Sequence, residues 1–352
     1  MEIVKYEIKK EDTLELIAEK EGISVKELID FHNDNCGLTN MIIGNEIPMQ
    51  LNFLILEKNR KKQIEKSKTN EFENKSRYRC EQINTSKFNG NLVHYVEQKF
   101  QYLLKMNLSN KTAYVKLEDY NKNISPAMIA DTFDFIEATE RIKNNILFTL
   151  NSKGKIKEVL NKEEIYSNWN NFKKNEFYDL SFIKKLQEVN PLAIEELIKI
   201  GDKQFSISIN NEEEYWRNFF YFCCFDQHLF SDNWDVVSFD LISTIVPPIV
   251  IPLQIRYDKV DENNGITTIR KVAEYHLSDD IRQKIIERYD DLHKNVVKYD
   301  FTEYKLIFRA TIEIDSESRV LKTGKVVLRE EISDNIENEC VFTIKKLENF
   351  TP

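Results

Sequence analysis

The sequence predicts an α+β protein, with a small βααβ module at the N-terminus and a larger α+β region of antiparallel sheet and packed helices behind it. The 352 residues are 41% hydrophobic and 31% charged and include only eight glycines, which is the composition of a globular protein. Helical periodicity alternates with strand periodicity, and hairpin signals recur in the second part of the chain. We therefore expect a module at 1–52, a basic linker at 53–79 and an α+β domain at 80–352.

The first module has a clear sequence of local signals. Apolar and charged residues alternate from residue 4 to 9, which is typical of a half-buried strand. Asp12 and Glu15 have the spacing of a capping box, and Ser24 and Glu27 repeat it, so each pair predicts the start of a short helix. A second strand is expected at 46–51.

The same segment resembles the LysM family, whose members bind N-acetylglucosamine polymers such as peptidoglycan and chitin. The residues that carry the resemblance are Val-Lys-Tyr-Glu-Ile-Lys at 4–9, Glu-Asp-Thr-Leu at 11–14 and Ile-Ile-Gly-Asn-Glu-Ile-Pro at 42–48. The resemblance covers residues 1–52 and implies a shallow glycan groove between the loop after the first strand and the loop before the second. In this chain those loops contain Asp12, Thr13, Leu14, Met41, Ile42 and Ile43.

Charge is unevenly distributed along the chain. Residues 57–79 contain nine Lys or Arg against four Asp or Glu, whereas the whole chain carries a net charge of −9. We interpret the basic segment as a solvated linker, and the acidic remainder argues against a nucleic-acid partner.

The sequence also bears on the compartment. No apolar run approaches the roughly 20 residues that span a bilayer, so no membrane span is expected. Strand-like residues begin directly after Met1 in place of a signal peptide. This predicts synthesis in the cytoplasm, with delivery to the cell envelope or travel within an injection particle as the routes to a partner.

The larger region reads as strands and helices in alternation. Before the middle of the chain we predict strands at 92–108 and 112–117, a helix from Ser125-Pro126 to about 139, a hairpin of strands at 146–150 and 156–160, and helix over 180–200 that stops at Gly201. Beyond the middle we predict strands at 253–259 and 266–277, a helix at 279–294, and a meander of strands at 304–314, 320–329 and 341–346.

Two segments in the middle of the chain leave alternatives open. Residues 212–230, which we call the aromatic segment, contain eight Phe, Tyr or Trp side chains that either form core or line an apolar cavity. Residues 246–252 contain three prolines, which exclude a central strand there. Similar elements on both sides suggest two halves divided near 231–252.

No catalytic constellation is visible in the sequence. Carboxylates cluster at 195–196, 212–214 and 279–280, where acid–base catalysis is possible but solvated helix starts are the more ordinary interpretation. Cys224 and His228 could supply two metal ligands, yet no second pair has matching spacing. The five cysteines are scattered and show no disulfide framework. We therefore expect neither an enzyme nor a bound metal or cofactor.

Three functions fit these expectations. The first is a non-enzymatic binding protein whose LysM-like module attaches to peptidoglycan or a chitin-like glycan. The second is an adaptor, cargo carrier or structural part of a phage-tail-like or contractile secretion system, in which the module binds a protein partner. The third is a cell-wall hydrolase that the module targets to its substrate.

Overall fold

The structure is a computed structural model that describes residues 3–21, 23–37, 40–44, 46–48, 51–57, 72–208 and 212–347. It confirms the predicted α+β class, with a large antiparallel sheet and helices packed against it. The predicted basic linker falls largely on 58–71, which lie outside the described residues.

The N-terminal module has the predicted βααβ order. Its elements are β1 (Ile3–Glu7), α1 (Leu14–Glu21), α2 (Val25–Asn35) and β2 (Phe53–Glu57). The two strands pair antiparallel, from Ile3 opposite Glu57 to Glu7 opposite Phe53. One buried cluster joins the two helices to β2, and its members are Leu14, Ile17, Ala18, Ile23, Leu28, Ile42, Leu51, Leu54 and Leu56.

The second strand of the module was predicted too early in the chain. Residues 46–48, 51 and 52 are not in a strand, and β2 begins at Phe53. The physical reason is Pro48, which has no backbone N–H for a ladder and whose carbonyl accepts a turn hydrogen bond from the Leu51 N–H at 2.8 Å. The paired strand consequently extends to Glu57, inside the segment predicted as linker.

The larger region is built on one sheet of eleven strands among the described residues. Neighbouring strands are antiparallel, in the order β7-β6-β5-β4-β3-β13-β12-β11-β10-β9-β8. The strands are β3 (Asn74–Phe88), β4 (Asn91–Asn107), β5 (Thr112–Ser125), β6 (Asn145–Leu150), β7 (Ile156–Val159), β8 (Val237–Ile242), β9 (Val250–Asn263), β10 (Ile266–Tyr275), β11 (Tyr304–Asp315), β12 (Leu321–Ile332) and β13 (Ile336–Lys346).

Helices connect and cover the strands. They are α3 (Ala130–Lys143), α4 (Lys162–Asn175), α5 (Ser181–Val189), α6 (Pro191–Gln204), α7 (Glu212–Tyr215), α8 (Phe219–Cys224), α9 (Asp279–Tyr289) and α10 (Asn295–Val297). Helices α4 to α8 lie between β7 and β8 in sequence, so strands β3–β7 form one half of the sheet and strands β8–β13 form the other.

Several predicted elements were displaced or missed. Strand β3 starts inside the predicted linker, and α4 was not predicted at all. Gly201 does not end a helix, because α6 continues through it to Gln204 and Gly201 packs against the ring of Trp169. Pro252 lies within β9, next to the edge strand. This is possible because β10 ends opposite Leu253, so at Pro252 only β8 pairs with β9.

The two faces of the sheet differ in polarity. Along β11, side chains alternate strictly between buried and exposed from Tyr304 to Ala310, which shows one face packed on the core and one open to solvent. The open face carries cross-strand ion pairs such as Lys99 with Glu81 at 3.4 Å. A binding site on this domain must therefore use the open face, the sheet edges or the clefts between helices.

Candidate functional site

The loop after β1 is ordered by Asp12, the first of the six predicted glycan-contact residues. Its Oδ2 atom accepts hydrogen bonds from the Lys9 backbone N–H at 2.8 Å and from the Tyr6 hydroxyl at 2.9 Å. The Lys9 N–H holds the pKa of Asp12 below its usual value, and the hydrogen bond to Asp12 raises the pKa of Tyr6. Asp12 thus closes the loop instead of capping the helix.

Thr13 and Leu14, the next two predicted contacts, face in different directions. Thr13 is exposed, and its Oγ1 accepts from the Leu16 N–H at 3.2 Å, so Thr13 caps α1 where Asp12 was predicted to do so. Leu14 is only 1% exposed and belongs to the module core. Only the backbone of Leu14 can reach a ligand.

The second predicted loop combines a buried and a fully exposed isoleucine. Ile42 is 2% exposed and packs in the same core cluster as Leu14, whereas Ile43 is 96% exposed. Met41 is half-buried. The structure therefore anchors both predicted loops on one core and leaves Thr13 and Ile43 as their most accessible side chains.

His32 and Asn33, at the end of α2, hold this second loop in place. The Nε2 atom of His32 lies 2.8 Å from the carbonyl oxygen of Asn40, and Nδ1 accepts from the Ile55 N–H at 3.0 Å. Because Nδ1 accepts, the ring proton is on Nε2, which donates to Asn40. Asn33 binds both backbone groups of Ile42, donating to its carbonyl at 2.9 Å and accepting from its N–H at 2.8 Å.

The roles of His32 and Asn33 were not predicted, although the position of His32 in the sequence indicated that its ring is buried. His32 follows Leu28 by four residues, so it falls on the buried face of α2. A histidine at a core position needs partners for both ring nitrogens.

The aromatic segment, by contrast, packs in the core, and three of its rings, Trp216, Tyr221 and Phe225, also border a cleft. Its rings contact strands across the whole width of the sheet, which curls around the segment. The contacting pairs, with centroid distances, are Phe225 with Phe148 of β6 at 5.0 Å, Phe220 with Tyr102 of β4 at 4.1 Å, Phe219 with Phe342 of β13 at 5.8 Å, Phe222 with Phe308 of β11 at 5.3 Å, and Trp216 with Phe239 of β8 at 5.5 Å.

Polar groups lie deep inside this core. Lys271 of β10 pairs with Asp226 at 2.7 Å, and both side chains are buried. His228 is 2% exposed, and neither ring nitrogen has a hydrogen-bond partner within the described residues. Burial and the charge of Lys271 lower the pKa of His228 to about 3, so the ring is neutral at pH 7.

A cleft of about 400 Å³ lies where the two edges of the curled sheet approach each other. The β6–β7 turn forms one side and β8 the other, and the Nζ of Lys153 in that turn reaches Asp235 beside β8 at 3.0 Å. Trp216 lies at the cleft, with the Lys155 Nζ 3.5 Å from its ring centroid. The lining residues are Asn151, Lys155, Ile156, Glu212, Trp216, Arg217, Tyr221, Phe225, Ser238, Phe239 and Asp240.

The carboxylate clusters occupy ordinary positions. Glu212 pairs with Lys162 at 3.0 Å and accepts from the Val159 N–H at 3.4 Å. Asp279 and Asp280 are exposed in the first turn of α9. Within the described ranges, no group of three or more His, Cys, Asp or Glu side chains is arranged to hold a metal ion.

None of the helices in the described ranges is both long enough and apolar enough to cross a bilayer. Cys224 and His228, the pair with metal-ligand spacing, are both buried in the core.

The chain matches no protein-family model and no curated protein. Among solved structures it is similar to lipovitellin, in a structure described as "lipid-protein interactions in lipovitellin", at a TM-score of 0.33 and 9% sequence identity. The alignment covers 79% of this chain and 26% of the lipovitellin chain. At this TM-score and identity the similarity does not identify a shared fold or function.

Proposed function

We propose that this chain is a non-enzymatic binding protein whose LysM-like module attaches to peptidoglycan or a related N-acetylglucosamine polymer. The observation that carries the proposal is the second module loop, which His32 and Asn33 hold in place while Ile43 stays 96% exposed. The resemblance of residues 1–52 to the LysM family gives the ligand class.

The loop has both kinds of group that an acetamido sugar needs. The side chain of Asn33 makes hydrogen bonds to both backbone groups of Ile42. The backbone N–H and carbonyl groups of Met41 and Ile43 have no hydrogen-bond partner within the described part of the module. These groups can bond to the amide and hydroxyls of a sugar. The side chain of Ile43 can pack on the acetamido methyl, and holding the loop beforehand reduces the entropy lost on binding.

The test is sedimentation of the full chain with insoluble peptidoglycan and, separately, with insoluble chitin. We expect the wild-type chain to sediment with at least one polymer and the Ile43→Asp variant to stay in solution, because a carboxylate cannot pack on the acetamido methyl. Leu16→Asp is the matched control, since Leu16 is a 52% exposed apolar residue of the same module outside the two loops. It should sediment like the wild type.

Two results would contradict the proposal. The first is failure of the full chain to sediment with either polymer, which would leave a protein ligand, as in a phage-tail-like or secretion assembly, for the same loops. The second is equal sedimentation of the Ile43→Asp and wild-type chains, which would remove the loop from the site. Release of soluble fragments from peptidoglycan would show a hydrolase instead.

A further inference from the structure

The inner face of the large sheet changes its chemistry along strand β3. Residues on one face of a strand are two apart in sequence, and Tyr78 and Cys80 lie on the inner face, fully buried in the core. The next three inward positions are Gln82, Asn84 and Ser86, which are polar and half-buried. The apolar part of this strand's inner face therefore stops at Cys80, and a polar part follows.

The strands on either side of β3 continue this polar part of the inner face. Gln98 of β4 lies opposite Gln82, and Asn338 of β13 lies opposite Ser86. We call these five side chains, which are Gln82, Asn84, Ser86, Gln98 and Asn338, the amide surface. All of them except Ser86 are primary amides, so each can donate and accept hydrogen bonds.

The amides make long hydrogen bonds to one another. Nε2 of Gln82 lies 3.4 Å from Oδ1 of Asn84, and Nδ2 of Asn84 lies 3.4 Å from Oε1 of Gln98, which is beyond the usual N–H···O distance. Nε2 of Gln98 donates to the Tyr120 hydroxyl at 2.6 Å, so the chain of amides is anchored at its core end. The Ser86 hydroxyl and Oε1 of Gln82 have no hydrogen-bond partner within the described residues, and neither atom is buried. A ligand can therefore replace long hydrogen bonds with shorter ones.

The amide surface lies between two helical regions, and its members are uncharged. On the β5 side, Lys122 lies opposite Gln98 and pairs with Asp134 and Glu137 of α3 at 2.5 and 3.2 Å. On the other side, the ring of Phe88 contacts the ring of His293, in the segment after α9, with 6.2 Å between centroids. Because Lys122 already has two carboxylate partners, the surface favours a neutral ligand over an anionic one.

The place of the amide surface in the sheet restricts the ligand further. Strands β3, β4 and β13 are paired on both sides, so their backbone groups are already used. A peptide that binds by strand addition needs a free edge, whereas a ligand here meets side chains alone. Hydroxyl and acetamido groups of sugars donate and accept as amides do. Inward side chains repeat about every 6.6 Å along a strand and about every 4.8 Å across strands, which suits the closely spaced polar groups of a glycan.

We propose that the amide surface binds a neutral glycan chain, as a second sugar site separate from the module loops. Gln82 and Asn84 would exchange their long mutual hydrogen bond for bonds to sugar hydroxyl or acetamido groups. Gln98, held by Tyr120, would keep Asn84 aligned. The inference uses residues of the large domain only, so it holds whether or not the module binds a glycan.

Binding is measured by isothermal titration calorimetry with two soluble probes, the β-1,4-linked hexamers of N-acetylglucosamine and of glucose. The parent is the full chain with Ile43→Asp, which removes the contribution expected from the module. In that background, Gln82→Met and Asn84→Leu together replace two amides with apolar side chains of nearly the same shape. Thr85→Val is the matched control, because it makes a similar change on the opposite face of β3.

We expect the parent chain to bind at least one hexamer. The double variant should bind that hexamer about tenfold more weakly or worse, and Thr85→Val should bind it like the parent. Because the ligand is neutral, its affinity should be equal at about 50 and 500 mM salt. Urea unfolding of the same chains checks their folding, and Asn84→Leu alone makes the comparison if the double variant does not fold.

Each contrary result overturns the proposal. If neither hexamer binds the parent chain, the amide surface is not a glycan site, even where the wild-type chain sediments with a polymer through its module. Equal binding of the double variant and the parent places the site elsewhere. An equal loss in Thr85→Val shows an effect on the strand instead of on contacts, and a steep loss of affinity with salt contradicts a neutral ligand.

The same measurements separate this site from the module. Hexamer binding that the parent keeps and the double variant loses supports the amide surface. If Ile43→Asp also leaves sedimentation unchanged, the role of the module loop fails while the amide surface stands.

Discussion

Lys271 and Asp226 form an ion pair in the middle of the core, with 2.7 Å between Nζ and Oδ2 and side-chain exposures of 1% and 0%. Both groups have further partners. Lys271 donates to the Phe222 carbonyl at 2.8 Å, and Asp226 accepts from the Tyr257 hydroxyl at 2.7 Å. The pair ties the aromatic segment to β9 and β10, and neither charge has access to water.

Removing one member of this pair should destabilise the protein strongly. Lys271→Met leaves Asp226 as an uncompensated buried charge, at a cost of about 3–5 kcal/mol in the free energy of unfolding. Adding Asp226→Asn removes that charge, so the double variant should be more stable than Lys271→Met alone. Urea unfolding measures all three chains, and a double variant less stable than Lys271→Met would contradict this reasoning.

His228 should make the protein less stable in mild acid. Its folded-state pKa of about 3 lies below the ordinary value of 6.5, so the unfolded chain binds a proton in this window and the folded chain does not. Stability should therefore fall as pH drops from about 6.5 towards 3, by up to about 1.4 kcal/mol per pH unit from this residue alone.

The His228→Leu variant removes that dependence. We expect the difference in unfolding free energy between about pH 7 and pH 4.5 to be smaller in His228→Leu than in the wild type. His276→Leu replaces an exposed histidine and serves as the control. Parallel pH dependence of the wild type and His228→Leu would show that His228 is not buried in its neutral form.

Two glycines with nearly equal φ angles allow the cost of a left-handed backbone to be measured separately from the cost of a steric overlap. Gly154 has a φ of +72° and Gly265 a φ of +73°, but a Cβ at Gly265 would enter open space, whereas one at Gly154 would overlap the carbonyl oxygen of Asp226. Gly265→Ala should cost about 1–2 kcal/mol for the left-handed conformation. Gly154→Ala should cost about 1–3 kcal/mol more, because the backbone of Asp226 has to move.

Urea unfolding of the two alanine variants measures that difference. Equal costs would mean that the β6–β7 turn does not contact the aromatic segment as described. That result would also remove the side of the cleft that faces β8.

The module should depend on His32 for its own stability. His32→Leu leaves the Ile55 N–H and the Asn40 carbonyl without their partner, at a cost of about 2–4 kcal/mol. A domain of about 50 residues has little stability to lose. We expect limited proteolysis to cleave the module of His32→Leu while the large domain stays intact, and glycan sedimentation should be lost with it.

Ser24→Ala is the milder comparison for this prediction. It removes one side-chain cap of α2 and should cost about 1 kcal/mol. A module that resists protease equally in the His32→Leu and wild-type chains would contradict the role given to His32.

Local sequence signals predicted the helix starts and turns that depend on contacts between residues close together in the chain. The predicted Ser24–Glu27 capping box is present, Ser278 caps the helix that was predicted at 279–294, and a turn at Asn264-Gly265 joins the strands that were predicted at 253–259 and 266–277. Each depends on a side chain or a glycine that acts on its own backbone, so sequence spacing is sufficient.

Features that depend on distant contacts could not be predicted in this way. Residues 74–79, the first part of β3, were interpreted as linker because they include Arg77 and Arg79, yet these alternate with buried Tyr78 and Cys80 on a sheet with one solvent-facing side. Likewise, glycine at position 201 predicted the end of a helix. The structure shows instead that a side chain there would collide with the ring of Trp169, which belongs to another helix.

The central position of β3 and β13 has a mechanical consequence. They are the first and last strands of the large sheet, yet they pair at its middle, and Tyr78 near the start of β3 lies opposite Lys346 at the end of β13. The chain thus enters and leaves the sheet side by side. Tension applied to the chain at these two points would separate β3 from β13 from one end, breaking one pair of hydrogen bonds after another. A small pulling force would therefore unfold the domain although its core is well packed.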